Sequence, residues 1–337
     1  MSEKEDTSPE IEELQQVQHV GPKMAEKLVE AGITKVADLA VKRPEELKAL
    51  LNISLKQAKE MINNALEISW DIIAKPKCLS EYSEWVKNNV KRIPSGCTKL
   101  DSALGEGVPT TAISTFAGEY GAGKTEFCLQ IAVNAKKKLN RGTFWIETEP
   151  GTFSPKRLEE VSRAEKVSFE NDEFYIIPAR EIGDSPHFLY LTYLKAEKIF
   201  EESMKDGVCK YGVLVVDSFT SKFRGYYTGR ELFPDRAREE NRHLAKLNQI
   251  AAKYNVAVLL TAQILEIPVL EGQYAQQAKT DHVKKMWGGT VLEHGSTYLF
   301  YLRKQSKKDW SITVVDAPDV PFETFQFRIS EVGIRDV

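Results

Sequence analysis

Cysteine is scarce in this chain. Its four cysteines (Cys78, Cys97, Cys128 and Cys209) are scattered through 337 residues, and no two stand in C-x-x-C spacing. This argues against a zinc site or a disulfide framework and makes a reducing, cytoplasmic compartment the expectation. Long apolar runs are missing too. None approaches the ~20 residues that a membrane-spanning helix requires, so no membrane role is expected. The opening residues, MSEKEDTSPEIEE, have neither the basic start nor the apolar stretch of a signal peptide, and read as a disordered tail over 1–12. Nor does either charge dominate. With 46 Lys+Arg against 49 Asp+Glu the formal net charge is −3, so any nucleic-acid surface has to be local.

The remaining composition is that of an ordinary soluble globular protein, 42% apolar and 28% charged. Its length is about twice the usual domain prior, which favours two domains. Residues 13–69 carry helical periodicity broken by Gly21-Pro22, Gly32 and Pro44, the pattern of a small all-α module. Residues 70–95 are polar and mixed, a linker with some helical character. From 96 to 337 apolar strand-like runs alternate with helical ones: AISTFA, GTFWIE, EFYIIPA, YGVLVVDS, VAVLLTAQI, then STYLFYLRK, WSITVV and TFQFRIS in close succession. The fold class is α/β, with a mostly parallel central sheet covered on both faces and antiparallel additions at one edge.

GEYGAGKTE (118–126) fits G-x-x-x-x-G-K-[ST], the loop that wraps nucleotide phosphates. It follows a buried strand and opens the amphipathic helix TEFCLQIAVNAKKKL, the context the motif needs. Gly118, Gly121 and Gly123 let backbone N–H groups turn inward on phosphates. Lys124 supplies a cation to the β- and γ-phosphates of ATP, and the Thr125 hydroxyl is a ligand for Mg2+. The nucleotide-binding set also takes in Glu119, Tyr120, Ala122 and Glu126. YGVLVVDS ends in Asp217, where a carboxylate reaches Mg2+ through water; the alternative is an aspartate that merely ends a strand. TFWIETEPGTF places Glu147 and Glu149 two apart near a strand's C-terminal end, so both carboxylates are expected to point the same way. Glu149, nearer the end, is the candidate general base; the alternative is one structural and one solvated acid.

The order of FAGEYGAGKTE, IETEPGTFSPKRL, VVDSFTSKFRGYYTGRE, LLTAQI, GGTVLEHGSTYLFYLRK and VDAPDVP resembles the RadA group of the RecA recombinase family, the archaeal recombinase and its eukaryotic counterparts. The resemblance runs from about residue 20 to the end. It implies a RecA-like P-loop ATPase core, self-association as a helical filament, ATP bound between neighbouring subunits, and strand exchange between homologous DNA duplexes. By the same resemblance Glu149 activates water, Arg157 stacks on adenine, and Gln263 senses the γ-phosphate and reports it to the following loop. His294 and Asp316 match positions that reach ATP from the neighbouring subunit. Arg224 and Arg230 lie in the first DNA-binding loop region, and residues 265–287 take the place of the second.

The residues themselves agree with DNA at these loops. FRGYYTGRELFPDRAREENRH holds five arginines and two adjacent tyrosines, and the second stretch joins Lys279, Lys284 and Lys285 to Tyr274 and Trp287. Cations for phosphates beside aromatics for bases suit a single strand; the alternative is a solvated charged loop. VQHVGPKMAEKLVEAG resembles a helix–hairpin–helix element, whose exposed N–H groups at Gly21, beside Lys23, hold a phosphate without reading sequence. The alternative is a protein-interaction or packing module. The expected partners are therefore single- and double-stranded DNA, and either further copies of the chain or a partner recombinase, within a nucleoid-associated setting.

Three features depart from the family. Pro150 sits beside Glu149 and biases its backbone toward extended conformations, with slowed hydrolysis as the expected consequence; aligned from the right, Pro150 itself takes the glutamate's place. Thr290 follows the glycine pair where histidine or asparagine is usual. The family's Phe-x-x-Ala subunit plug has no counterpart, since no phenylalanine occurs before Phe116. Trp70, with Ile73 or Ala74, is the candidate anchor; the alternative is that Trp70 packs on its own module. The leading expectation is a DNA-dependent ATPase acting as a recombinase. A paralogue acting as mediator, and a RecA-fold ATPase without recombination activity, are the competing readings.

Overall fold

The structure, a computed structural model, describes residues 8–70, 76–265, 285–286 and 288–337. Two compact units divide between Ser83 and Glu84.

Among its described residues the first unit holds five whole helices: α1 (Pro9–Leu14), α2 (Pro22–Glu30), α3 (Val36–Ala40), α4 (Pro44–Leu51) and α5 (Leu55–Trp70). Prolines open α1, α2 and α4 at the first turn, where the missing N–H costs nothing. Asn52, left-handed at φ 54°, ends α4. Along α5 the buried residues Ala58, Met61, Ile62 and Ala65 recur every three or four positions. They close on Leu14, Leu28, Leu39 and Leu47 from the other helices. Within the segment 1–12 expected as a tail, Pro9 starts a helix whose Leu14 is fully buried.

Helix α6 (Leu79–Asn89) straddles the division and buries none of its residues. The second unit then runs β1 (Arg92–Ile93), α7 (Thr98–Ala103), β2 (Val108–Pro109), β3 (Ile113–Gly118), α8 (Lys124–Leu139), β4 (Gly142–Glu147), α9 (Pro155–Ala164), β5 (Phe174–Ile177), α10 (Pro186–Glu202), β6 (Tyr211–Asp217), α11 (Ser221–Tyr226), α12 (Phe233–Tyr254) and β7 (Ala257–Leu265). It ends in β8 (Lys285–Met286), α13 (Gly289–Gly295), β9 (Tyr298–Lys304), β10 (Trp310–Asp316), β11 (Glu323–Ser330) and β12 (Gly333–Asp336). This unit begins earlier than the expected residue 96: Ile93 is fully buried, and β1 pairs antiparallel with β2.

The main sheet has the order β12-β11-β10-β9-β3-β7-β6-β4-β5, with β8 beside β7. The strands β9, β3, β7, β6, β4 and β5 are mutually parallel, and β10, β11 and β12 extend the β9 edge antiparallel. Every residue of β3, β4 and β6 is buried, as parallel strands covered on both faces require. Side-chain alternation feeds two cores. Trp145, Val213 and Val215 face one, with Phe127 of α8; Phe144, Ile146, Leu214 and Val216 face the other, with Tyr193 of α10 and Leu247 of α12. The connection leaving β3 crosses β7 and β6 to reach β4, whereas the chain after β7 comes back past β3 to β9, so the direction across the sheet switches between these two neighbours. Ligands of open α/β sheets bind beyond the carboxyl ends of the strands at such a point. No helix among the described residues is long and apolar enough to cross a membrane.

Candidate functional site

Loop 118–123 joins β3 to α8 at that point. Two of its glycines are fixed by the surrounding protein as well as by the chain's turn. A Cβ on Gly118 would come 2.5 Å from the Leu302 carbonyl of β9, and one on Gly123, which sits at φ +91°, would come 2.7 Å from Ile329 Cδ1 of β11. Trp310 Nε1 of β10 donates to the Gly121 carbonyl at 3.4 Å. The antiparallel edge therefore braces the loop from behind. Ala122 is buried, whereas Tyr120 at the tip is 99% exposed. Lys124 turns back on the loop and donates to the carbonyls of Gly118 (2.9 Å) and Glu119 (2.7 Å). Burial pushes its ammonium below the usual lysine value, opposed by the negative charges of Asp217 and Glu149.

Asp217 ends β6 and is 3% exposed. Its Oδ2 accepts from Thr125 Oγ1 at 2.8 Å and its Oδ1 from Thr261 Oγ1 of β7. Burial pushes this carboxyl up, opposed by those two hydrogen bonds and by Lys124. A hydroxyl and a carboxylate side by side are hard oxygen donors suited to Mg2+, with the remaining positions left to phosphate and water. Among the described residues no group of three His, Cys, Asp or Glu could hold an ion without such help.

The two glutamates part company, against the expectation that they face the same way. β4 ends at Glu147, so Glu149 lies beyond the strand where the two-residue alternation no longer applies. Glu147 is buried and accepts from the backbone N–H groups of Phe153 (3.0 Å) and Ala179 (3.3 Å), a structural role. Glu149 Oε1 instead accepts from Ser218 Oγ at 3.1 Å and Gln263 Nε2 at 3.3 Å. Pro150 is exposed and Gly151 follows at φ +80°, which fits the central pair of a type II turn. Thr152 Oγ1 closes that turn on the Glu149 carbonyl at 3.0 Å. The carboxylate beside Gln263 is thus that of Glu149, with Pro150 outside.

Arg224, expected on DNA, is on α11 and reaches into this group. It donates to Gln263 Oε1 and lies 3.7 Å from Glu149 Oε1. Arg157, expected to stack on adenine, has its guanidinium edge occupied by Glu126 (2.9 Å) and the carbonyls of Ser330 (2.6 Å) and Glu331 (2.9 Å). That holds its plane rigid against the β11–β12 turn. His294 and Asp316 are exposed, on α13 and at the end of β10. In the first unit Gly21 precedes α2 without a side-chain cap, and both Gly21 and Lys23 are exposed. Lys279 and Lys284 lie outside the described residues, as do the side chains of Arg230 and Lys285. Ser218 and Thr261 escaped the sequence reading. Thr261 left a signal, a hydroxyl within the apolar run VAVLLTAQI.

A glycine-rich loop between strand and helix, a buried aspartate on the neighbouring-but-one strand and a glutamate beyond the next define a P-loop nucleotide-binding protein with a RecA-like core. The Rad51 family matches residues 86–337, and the SAM-like helix-hairpin-helix tandem matches residues 11–66. The chain belongs to the Rad51 family. It is similar to the DNA repair and recombination protein RadA of Aeropyrum pernix, 33% identical over 336 residues that cover 97% of this chain and 98% of that protein. The protein of the same name from Ignicoccus hospitalis is 33% identical over 333 residues (94% and 93%). That from Methanococcus maripaludis is 31% identical over 337 residues (94% and 97%).

Proposed function

We propose that the chain is an ATP-dependent recombinase that assembles on single-stranded DNA and promotes homologous pairing and strand exchange in DNA repair. The observation that carries this reading is the meeting of the phosphate loop, Asp217 and Glu149 at the carboxyl ends of the central parallel strands, in a chain similar to RadA proteins over nearly its whole length.

In this reading the loop amides and Lys124, freed from its own carbonyls, hold the β- and γ-phosphates of ATP. Thr125 and Asp217 hold Mg2+, which neutralises phosphate charge when bound. Glu149 takes a proton from water as the water oxygen bonds to the γ-phosphorus. The bridging P–O bond breaks and its electron pair leaves on ADP. Gln263 orients the carboxylate. Arg224, Arg230, Lys279, Lys284 and Lys285 contact DNA, and the hairpin at Gly21 and Lys23 grips duplex phosphate. Self-association brings the exposed His294 and Asp316 to a neighbour's nucleotide, a head-to-tail contact that builds an open helix. Two observations favour it: Trp70 is 66% exposed, and the edge strand β5 presents Tyr175 and Ile176 to solvent.

The test is strand exchange by the purified chain alone with ATP, together with electron microscopy on single-stranded DNA. Filaments and exchange are expected, and Lys124→Ala is expected to weaken nucleotide binding at least about 100-fold, the equivalent of roughly 3 kcal/mol for an uncompensated buried phosphate charge. DNA binding without exchange would instead assign the chain to a mediator role.

A further inference from the structure

One oxygen of the proposed base is already engaged, although the side chain is 29% exposed. Its Oε1 carries Ser218 Oγ at 3.1 Å and Gln263 Nε2 at 3.3 Å, with the Arg224 guanidinium at 3.7 Å. Arg224 also donates to Gln263 Oε1, so the guanidinium, the amide and the carboxylate form a closed triangle. The backbone beneath it is fixed. Thr148, next to Glu149, receives the Ser218 N–H on Oγ1 at 2.8 Å and donates its own N–H to the Asp217 carbonyl at 2.8 Å. Thr148 is 3% exposed, whereas the Arg224 side chain is 43% exposed. The carboxylate stands on a rigid base, and the arginine is the member with room to leave.

We infer that Arg224 is a latch released by DNA: without DNA it holds the Glu149–Gln263 pair closed, and a nucleic-acid phosphate competing for the same guanidinium frees Oε1 for the attacking water. This rests on the reading of Glu149 as base. A half-exposed pair at 3.7 Å is weak, whereas a phosphate engages a guanidinium through two parallel charge-assisted bonds. The exchange therefore runs from carboxylate to phosphate. One side chain thus serves the DNA loop and the hydrolytic site in turn, so stimulation by DNA needs no distant relay. Arg224 is a positioning residue; it acts on the water only through Glu149.

The experiment measures steady-state ATP hydrolysis by the full chain with and without single-stranded DNA. Arg224→Ala is expected to raise the DNA-free rate about five-fold, the equivalent of one half-exposed ion pair, and to compress the stimulation by DNA. Arg224→Lys, which keeps a cation, is expected to restore a low DNA-free rate. In the background of Glu149→Gln the Arg224 change is expected to have no effect, since the latch then has nothing to hold. An arginine that only touches DNA gives an unchanged DNA-free rate with weaker stimulation, and that result overturns the inference. A merely structural arginine lowers both rates together with the melting temperature, which overturns it as well. Glu149→Gln alone separates the two layers: turnover at the wild-type rate refutes the assignment of the base, whatever Arg224 does.

Discussion

Glu240 is a carboxylate in the wrong medium. It sits on α12 with no exposed surface, 3.4 Å from Arg236 Nε, and neither of its oxygens has a hydrogen-bond partner among the described residues. Burial pushes its carboxyl up to about 7, against the opposing charge of Arg236. An unfolded chain releases this proton near 4.5. Between those values the folded state binds a proton that the unfolded state has lost, so stability falls as pH rises through the window and levels off above it. With roughly 2.5 pH units at 1.36 kcal/mol each, the loss is about 3 kcal/mol. Glu240→Gln removes the ionisation. The variant is expected to match the wild type near pH 4 and to gain on it by about 3 kcal/mol at pH 8, less whatever the pair with Arg236 contributes. His243, one turn further along, acts in the opposite direction over an overlapping range of pH. It is fully buried among Tyr190, Tyr193, Phe219 and Phe223, and burial, aided by Arg242 and His187, pushes it down to about 3. The unfolded chain gains this proton below about 6.5, so here stability is lost as pH falls toward 3. Urea titrations of both proteins at pH 4, 6 and 8 isolate the Glu240 contribution as the difference between them, while the variant alone keeps that of His243. A difference between variant and wild type that stays constant from pH 4 to 8 would refute the reasoning.

Arg141→Ala is expected to cost about 4 kcal/mol and to lower the melting temperature by about 10 °C, read by calorimetry. This buried arginine donates to the carbonyls of Cys209 (2.9 Å), Asn255 (2.7 Å), Tyr211 and Tyr254 (3.0 Å), which would otherwise be left unpaired. Trp70→Ala is expected to disperse ATP-dependent assemblies in light scattering while leaving the melting temperature of the chain unchanged, since the indole is 66% exposed. Assembly that persists in that variant would move the subunit anchor elsewhere.

What could be read from the chain beforehand follows physical lines. Strands buried on both faces leave continuous apolar runs, which is why β4 spans the residues of GTFWIE and β6 the apolar run ending at Asp217. The phosphate loop was legible because the backbone demands its glycines in a fixed order. Pairings that depend on the fold left no such trace. In the sequence Arg141 is one cation after Asn140, a turn charge like any other; only the approach of β6 to the end of α12 gives it four carbonyls. Counting by twos misassigned the orientation of Glu149 because it assumed a strand that had already ended. The family resemblance put Arg224 in the first DNA-binding loop region, and the cations and aromatics around it agreed; its contacts here are Glu149, beyond the end of β4, and Gln263 of β7.

β7 ties these parts into one device. In its run Thr261-Ala262-Gln263, alternate residues share a face. Thr261 holds the carboxylate proposed for the metal, and Gln263 holds the one proposed for the water. Both contacts therefore stand on a single rigid strand, set two residues apart, and any shift of that strand along its axis alters them together. Arg224 grips the second contact from the side, on a helix that begins four residues after Asp217. The carboxylates proposed for metal and water are thus joined by one strand register and one arginine, a coupling short enough for substitution at Thr261 or Arg224 to be read in the rate of hydrolysis.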